Sequence, residues 1–172
     1  MRPSHYRSST VAALFFVATA LLLAACAPAA GVQSSAPVRV GTSAIPAKVG
    51  QTLYVRVDYS LGDFRLDESD LRATMWVPSG YNSEVGDVSM YFGLLDVQGA
   101  TGWQIGLSRM RLQRTTVTSQ SFGTTSVLRD LWAEIKVAVP NDAIPGVYRV
   151  RGTIEARGGA TQPVTFRIDV SN

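Results

Sequence analysis

Beyond residue 50, apolar and polar residues alternate with a period of two. Leu53, Val55, Val57 and Tyr59 alternate with Tyr54, Arg56 and Asp58. Leu71, Ala73, Met75 and Val77 alternate with Arg72, Thr74 and Trp76, and Leu131 to Val139 alternates around Trp132, Glu134, Lys136 and Ala138. Tyr148, Val150, Gly152, Ile154 and Ala156 alternate with Arg149, Arg151, Thr153 and Glu155; Val164, Phe166, Ile168 and Val170 close the series. Each run predicts a strand with one face buried and the other in water. Weaker patterns predict strands over Val38–Thr42, Val88–Asp96, Trp103–Leu112 and Thr115–Phe122, and helical turns over Leu61–Asp70 and Leu128–Trp132. Turn residues separate the runs at Lys48-Val49-Gly50, Pro78 to Asn82, Gly99 to Gly102, Pro140 to Gly146 and Arg157 to Ala160. Strands at this spacing predict an all-β fold, an antiparallel sandwich of about seven to nine strands. The pattern leaves the strand order of residues 88–126 open.

The first 26 residues follow another rule. Arg2, His5 and Arg7 precede a run from Val11 to Ala25 with no charged residue, and Cys26 follows it. A basic start, a short apolar stretch and small residues at its end make a secretory signal. The run is shorter than the roughly 20 residues needed to span a bilayer. Leu23-Ala24-Ala25-Cys26 resembles the lipobox of bacterial lipoproteins. The resemblance implies cleavage between Ala25 and Cys26, a diacylglyceryl group on the Cys26 thiol, and usually an acyl chain on the new terminus. The expected partner is therefore a membrane, reached through that lipid. Ala27 after the cysteine, rather than Asp, implies the outer membrane in a Gram-negative cell, and the outer face of the cell membrane otherwise. Three segments follow: a signal peptide over 1–25, the lipidated cysteine and a small, uncharged tether over 26–37, and one β-domain over 38–172.

Composition then narrows the chemistry. The formal charge of +3 falls to about +1 once Arg2 and Arg7 leave with the signal, which argues against nucleic acid as a partner. His5 is the only histidine and Cys26 the only cysteine. The mature domain is left without a Ser-His-Asp triad, a Cys-His pair or a His/Cys zinc site. It also has no disulfide, so its core alone must hold it.

A second resemblance sits near the C-terminus. Asp142-Ala143-Ile144-Pro145-Gly146-Val147-Tyr148-Arg149-Val150 resembles the corner before the penultimate strand of bacterial immunoglobulin-like domains, and Val49 to Leu53 resembles the turn into their second strand. It implies that the Tyr148 hydroxyl bonds back to the corner backbone and that Val150 faces the core.

Four groups of residues are candidates for chemistry or binding. Asp63, Asp67, Glu68 and Asp70 lie within eight residues and offer oxygens to Ca²⁺, but their spacing is not that of a helix–loop–helix calcium loop; a solvated, capped turn is the favoured reading and no metal or cofactor is expected. Glu84, Asp87, Glu134 and Glu155 are available for carboxylate catalysis on glycans, though Glu134 and Glu155 fall on outward strand positions. Tyr54, Trp76 and Trp132 fall on expected outer faces, and the pattern leaves the face of Trp103 open. Exposed rings make a platform for sugar or protein, unless another element covers them. Arginine outnumbers lysine 14 to 2. Arg109, Arg111 and Arg114 cluster, and Arg149 and Arg151 share a face suited to anionic lipid or cell-wall polymer, or to cross-strand pairing. The expectation is a non-enzymatic, membrane-anchored binding or structural module for an envelope protein or cell-wall ligand. The alternatives are a carboxylate glycan hydrolase and a barrel-like carrier of a small apolar ligand.

Overall fold

A computed structural model describes residues 36–119 and 121–172. The signal peptide, Ala25, Cys26 and nearly all of the tether lie outside the described residues. Ten strands run through the described chain: β1 (Val38–Arg39), β2 (Ile45–Lys48), β3 (Thr52–Tyr59), β4 (Trp76–Gly80), β5 (Ser83–Asp87), β6 (Phe92–Gln98), β7 (Gln104–Thr118), β8 (Thr125–Ala138), β9 (Gly146–Ala156) and β10 (Thr161–Ser171). They form two sheets, one of six strands in the order β1-β3-β8-β7-β5-β4 and one of four in the order β2-β10-β9-β6.

The two sheets pack as a sandwich through the faces that the alternation marks as apolar. Leu53 and Val55 of β3 and Leu131, Ala133, Ile135 and Val137 of β8 are buried, as are Val150, Ile154 and Ala156 of β9 and Val164, Phe166, Ile168 and Val170 of β10. Phe64, from a short 3-10 turn after β3, packs edge-on between Tyr59 and Phe92, with ring centroids 5.3 and 5.2 Å away. In an immunoglobulin-like sandwich the A, B, E and D strands form one sheet and C, F and G the other. β1, β3, β8 and β7 stand in the first order and β6, β9 and β10 in the second. The β4–β5 hairpin is an insertion between the second and third of these strands and widens the first sheet. The sheets are mixed rather than purely antiparallel, because β1 runs parallel to β3 and β2 parallel to β10. β2 and β5, which the alternation does not mark, bring the described strands to ten, past the expected seven to nine.

The corner before β9 has the expected geometry. The Tyr148 hydroxyl donates to the Ile144 carbonyl at 2.5 Å, its ring packs on Trp103 at 5.0 Å, and Val150 is buried.

Several expected elements differ. Thr115–Phe122 is no separate strand: β7 runs unbroken to Thr118. Its alternation is masked because the register against β8 shifts between Leu107 and Arg109, an extra residue that moves the inward positions from Ile105 and Leu107 to Met110 and Leu112. Leu128–Trp132 is strand, not a helical turn, whereas the Leu61–Asp70 segment does hold two 3-10 turns. The run Leu71–Val77 is irregular up to Met75, and its later faces are reversed. Met75 is 67% exposed, while Trp76 turns toward the core opposite Gly86, whose lack of a side chain makes room for the ring.

The corner makes one prediction. Tyr148→Phe leaves the ring packing in place and removes only the bond to Ile144, so it should destabilise the domain by about 1 kcal/mol in urea unfolding; a neutral result would remove the corner from the forces that hold the fold.

Candidate functional site

β7 and β8 outlast β3. Beyond Leu112 and Leu131 they continue to pair from Gln113 opposite Asp130 to Thr118 opposite Thr125, with β5 still beside β7 as far as Thr115. Along this extension the core-side positions change from Leu112 and Leu131 to Arg114, Thr116, Arg129 and Val127. The second 3-10 turn, Glu68–Asp70, folds beneath it.

Glu68 there binds two cations. Its carboxylate accepts from Arg129 and forms an ion pair with Arg114, and its side chain is only 18% exposed. Arg114 also pairs with Glu84 at 3.2 Å, and its guanidinium lies 3.8 Å over the Trp76 ring. Burial pushes the Glu68 carboxyl up, but the hydrogen bond from Arg129 and the charges of both arginines outweigh it and hold the group below its ordinary value. Clefts of about 580 and 780 Å³ open on either side of this knot. Two cations and two carboxylates meet there, so the knot carries no net charge. Its role is to tie the β7–β8 extension to the 61–71 segment.

The acids proposed for catalysis or metal are spread and engaged. Glu84 is paired as above; Glu134 of β8 lies 3.9 Å from Arg111; Asp87 accepts from the Ser89 amide at 2.9 Å; Glu155 stands on the outer face of β9. In the acidic loop, Asp63 accepts from the Ser60 amide and Asp70 from the Asp67 amide, both at 2.7 Å. The carboxylates there are serving turns and arginines. Among the described residues no group of three or more potential ligands is placed to hold a metal ion.

The expected aromatic and basic residues do not meet on one surface. Tyr54 and Trp132 lie on the outer face of the six-stranded sheet. The Arg56 guanidinium covers Trp132 at 3.9 Å from the ring centroid, leaving it 7% exposed. Arg56 is itself held by Asp58 at 2.7 Å, and Asp58 also accepts from Arg39 at 2.5 Å. Trp76 lies under Arg114 on the opposite side of that sheet. Arg149 and Arg151 are exposed on the outer face of the four-stranded sheet, and β10 adds Arg167 directly opposite Arg149. Arg167 falls between the buried Phe166 and Ile168 of β10, and hairpin register alone brings it opposite Arg149. The Glu68–Arg114–Arg129 knot joins a loop and a strand 61 positions apart, and neither has a motif that points to the other.

These contacts predict that Trp132→Ala acts on stability, costing about 3 kcal/mol in thermal or urea unfolding as a buried ring is lost; an unchanged stability would show a dispensable, surface ring. Glu68→Gln should destabilise by about 1–2 kcal/mol at neutral pH, between the values of surface and buried pairs. The Glu68 carboxyl is depressed in the folded state, so its contribution is complete above its unfolded value near 4.5 and is lost as pH falls through the folded value. The Gln variant should therefore lose less stability than the parent on acidification below that point, and parallel acid limbs would contradict the pairing. No protein-family profile matches the chain, and neither does any curated protein, so a functional reading rests on this geometry and on the sequence itself.

Proposed function

We propose that the chain is a bacterial cell-envelope lipoprotein in which a lipid on Cys26 holds a non-catalytic β-sandwich at a membrane, as a binding or structural module for an envelope protein or cell-wall ligand. The observation that carries this reading is Leu23-Ala24-Ala25-Cys26 at the end of an uncharged run, with Cys26 the only cysteine in the chain. A lone thiol in an exported protein otherwise needs a partner or remains reactive; lipidation removes it. A diacyl group supplies the two chains that stable anchoring takes.

The domain supports a non-catalytic role. It has no histidine or thiol past Cys26. Glu68, the most enclosed acid of the cleft, is held ionised by Arg129 and Arg114, whereas a general acid needs its proton retained near neutral pH. The core-facing positions of β3, β8, β9 and β10 are apolar side chains in mutual contact, which favours a packed module over a hollow carrier.

Cys26→Ala in the full-length chain should abolish incorporation of a fatty-acid probe and shift the protein from the membrane fraction to the soluble or uncleaved pool. Undiminished labelling of the Ala variant would sink the anchoring reading.

A further inference from the structure

We propose that the outer face of the four-stranded sheet docks on anionic phospholipid headgroups of the membrane that the Cys26 lipid enters. The proposal builds on the lipoprotein reading and adds which face of the domain meets the membrane, and through which chemistry.

The antiparallel pairing of β9 and β10 places Arg149 directly opposite Arg167, and Arg151 opposite Thr165. All four side chains are exposed, and Lys48 of β2 is exposed at the edge of the same face. Like charges directly opposite one another on a sheet destabilise it unless a counter-charge intervenes. Glu155 and Asp169 share the face, yet among the described residues no carboxylate lies within 4.0 Å of any of the three guanidinium groups. Arg167 donates one N–H to the Thr42 carbonyl at 2.6 Å, which orients it without neutralising it.

The other outer face holds fewer free cations. On the six-stranded sheet Arg39 and Arg56 share Asp58 and Arg111 pairs with Glu134, while among the described residues Arg109 and Lys136 stand exposed without a carboxylate within 4.0 Å. Cations free of an ion pair are therefore denser on the four-stranded side, with Arg149, Arg151, Arg167 and Lys48 there against Arg109 and Lys136 on the other, and this is the side a negatively charged membrane attracts more strongly.

Apolar side chains beside the arginines favour a lipid surface over a soluble polyanion. Val147, 61% exposed, precedes Arg149 on the same face of β9, and Ile144, 75% exposed, projects from the corner just before it. Cationic and apolar side chains together match the headgroup and acyl boundary of a bilayer. Geometry permits the contact. The tether from Ala27 to Pro37 reaches at most about 40 Å when extended, several times the spacing of about 10 Å between packed sheets. Charge, not tether length, then selects the face.

The test uses the lipidated full-length protein after processing, reconstituted in vesicles. A Thr165→Cys variant places a fluorophore among the arginines, and Lys136→Cys places one on the opposite outer face. In vesicles rich in phosphatidylglycerol that carry a headgroup quencher, the Thr165 label should be quenched at least severalfold more than the Lys136 label. The difference should vanish in pure phosphatidylcholine and in about 1 M NaCl, where the Debye length falls to about 3 Å. R149E/R151E/R167E should abolish it, and R149Q/R151Q/R167Q, milder for folding, should reduce it. Equal quenching of the two labels, or quenching indifferent to lipid charge, overturns the proposal. So does protection of the Thr165 label by soluble polyphosphate with no quenching in anionic vesicles, which would assign the arginines to a soluble polyanion. Failure of the anchoring reading registers separately, as a reactive thiol at Cys26 in protein without an introduced cysteine.

Discussion

The domain depends on burying one face of β8 and its neighbours against β9 and β10. Leu131, Ala133, Ile135 and Val137 lie along β8, and Val164, Phe166, Ile168 and Val170 along β10, all buried. A fully buried aliphatic side chain of this kind contributes about 1.5–3 kcal/mol. No disulfide or histidine-held metal reinforces the domain, whose sequence past Cys26 has neither residue type. The alternation is thus the constraint that everything else serves. It sets which residues face inward and leaves two outer faces whose chemistry is free to diverge.

They do diverge. The six-stranded sheet pairs most of its arginines, on its outer face with Asp58 and Glu134 and on its core side with Glu68 and Glu84, and uses Arg56 and Arg114 to cover Trp132 and Trp76. Charge there closes the surface and ties the β7–β8 extension to the 61–71 segment. The four-stranded sheet carries Arg149, Arg151 and Arg167 without carboxylate partners among the described residues. The same residue type is mostly ion-paired on one sheet and unpaired on the other, and the difference lies in which strand brings a carboxylate within reach.

The strands with clean alternation, β3, β8, β9 and β10, were legible because each has one wet face and one dry face over its paired length. β7 was legible only in part, as two weaker strands, because the extra residue near Ser108 swaps its inward parity halfway along. β2 was hidden by Pro46, which edge pairing to β10 tolerates, and β5 by Gly86 and flanking acids in a short strand. Trp76 was misplaced because its strand begins only at that residue and its ring fills the space over Gly86. The tyrosine corner was legible through a local motif, since Tyr148 and Ile144 are only four residues apart. The Glu68–Arg114–Arg129 knot was not, since it depends on a tertiary approach that no local pattern encodes. What covers an outward aromatic was not legible for a related reason: an arginine on a neighbouring strand covers Trp132, a ring that alternation alone places in water.

Everything proposed for this domain at a membrane depends on lipidation of Cys26. Mass spectrometry of the N-terminal peptide from the protein purified out of its native envelope tests this most directly. The expected peptide begins at Cys26 and carries a thioether-linked diacylglyceryl group. A peptide containing Cys26 with an unmodified thiol, or a mature terminus downstream of it, would contradict the claim.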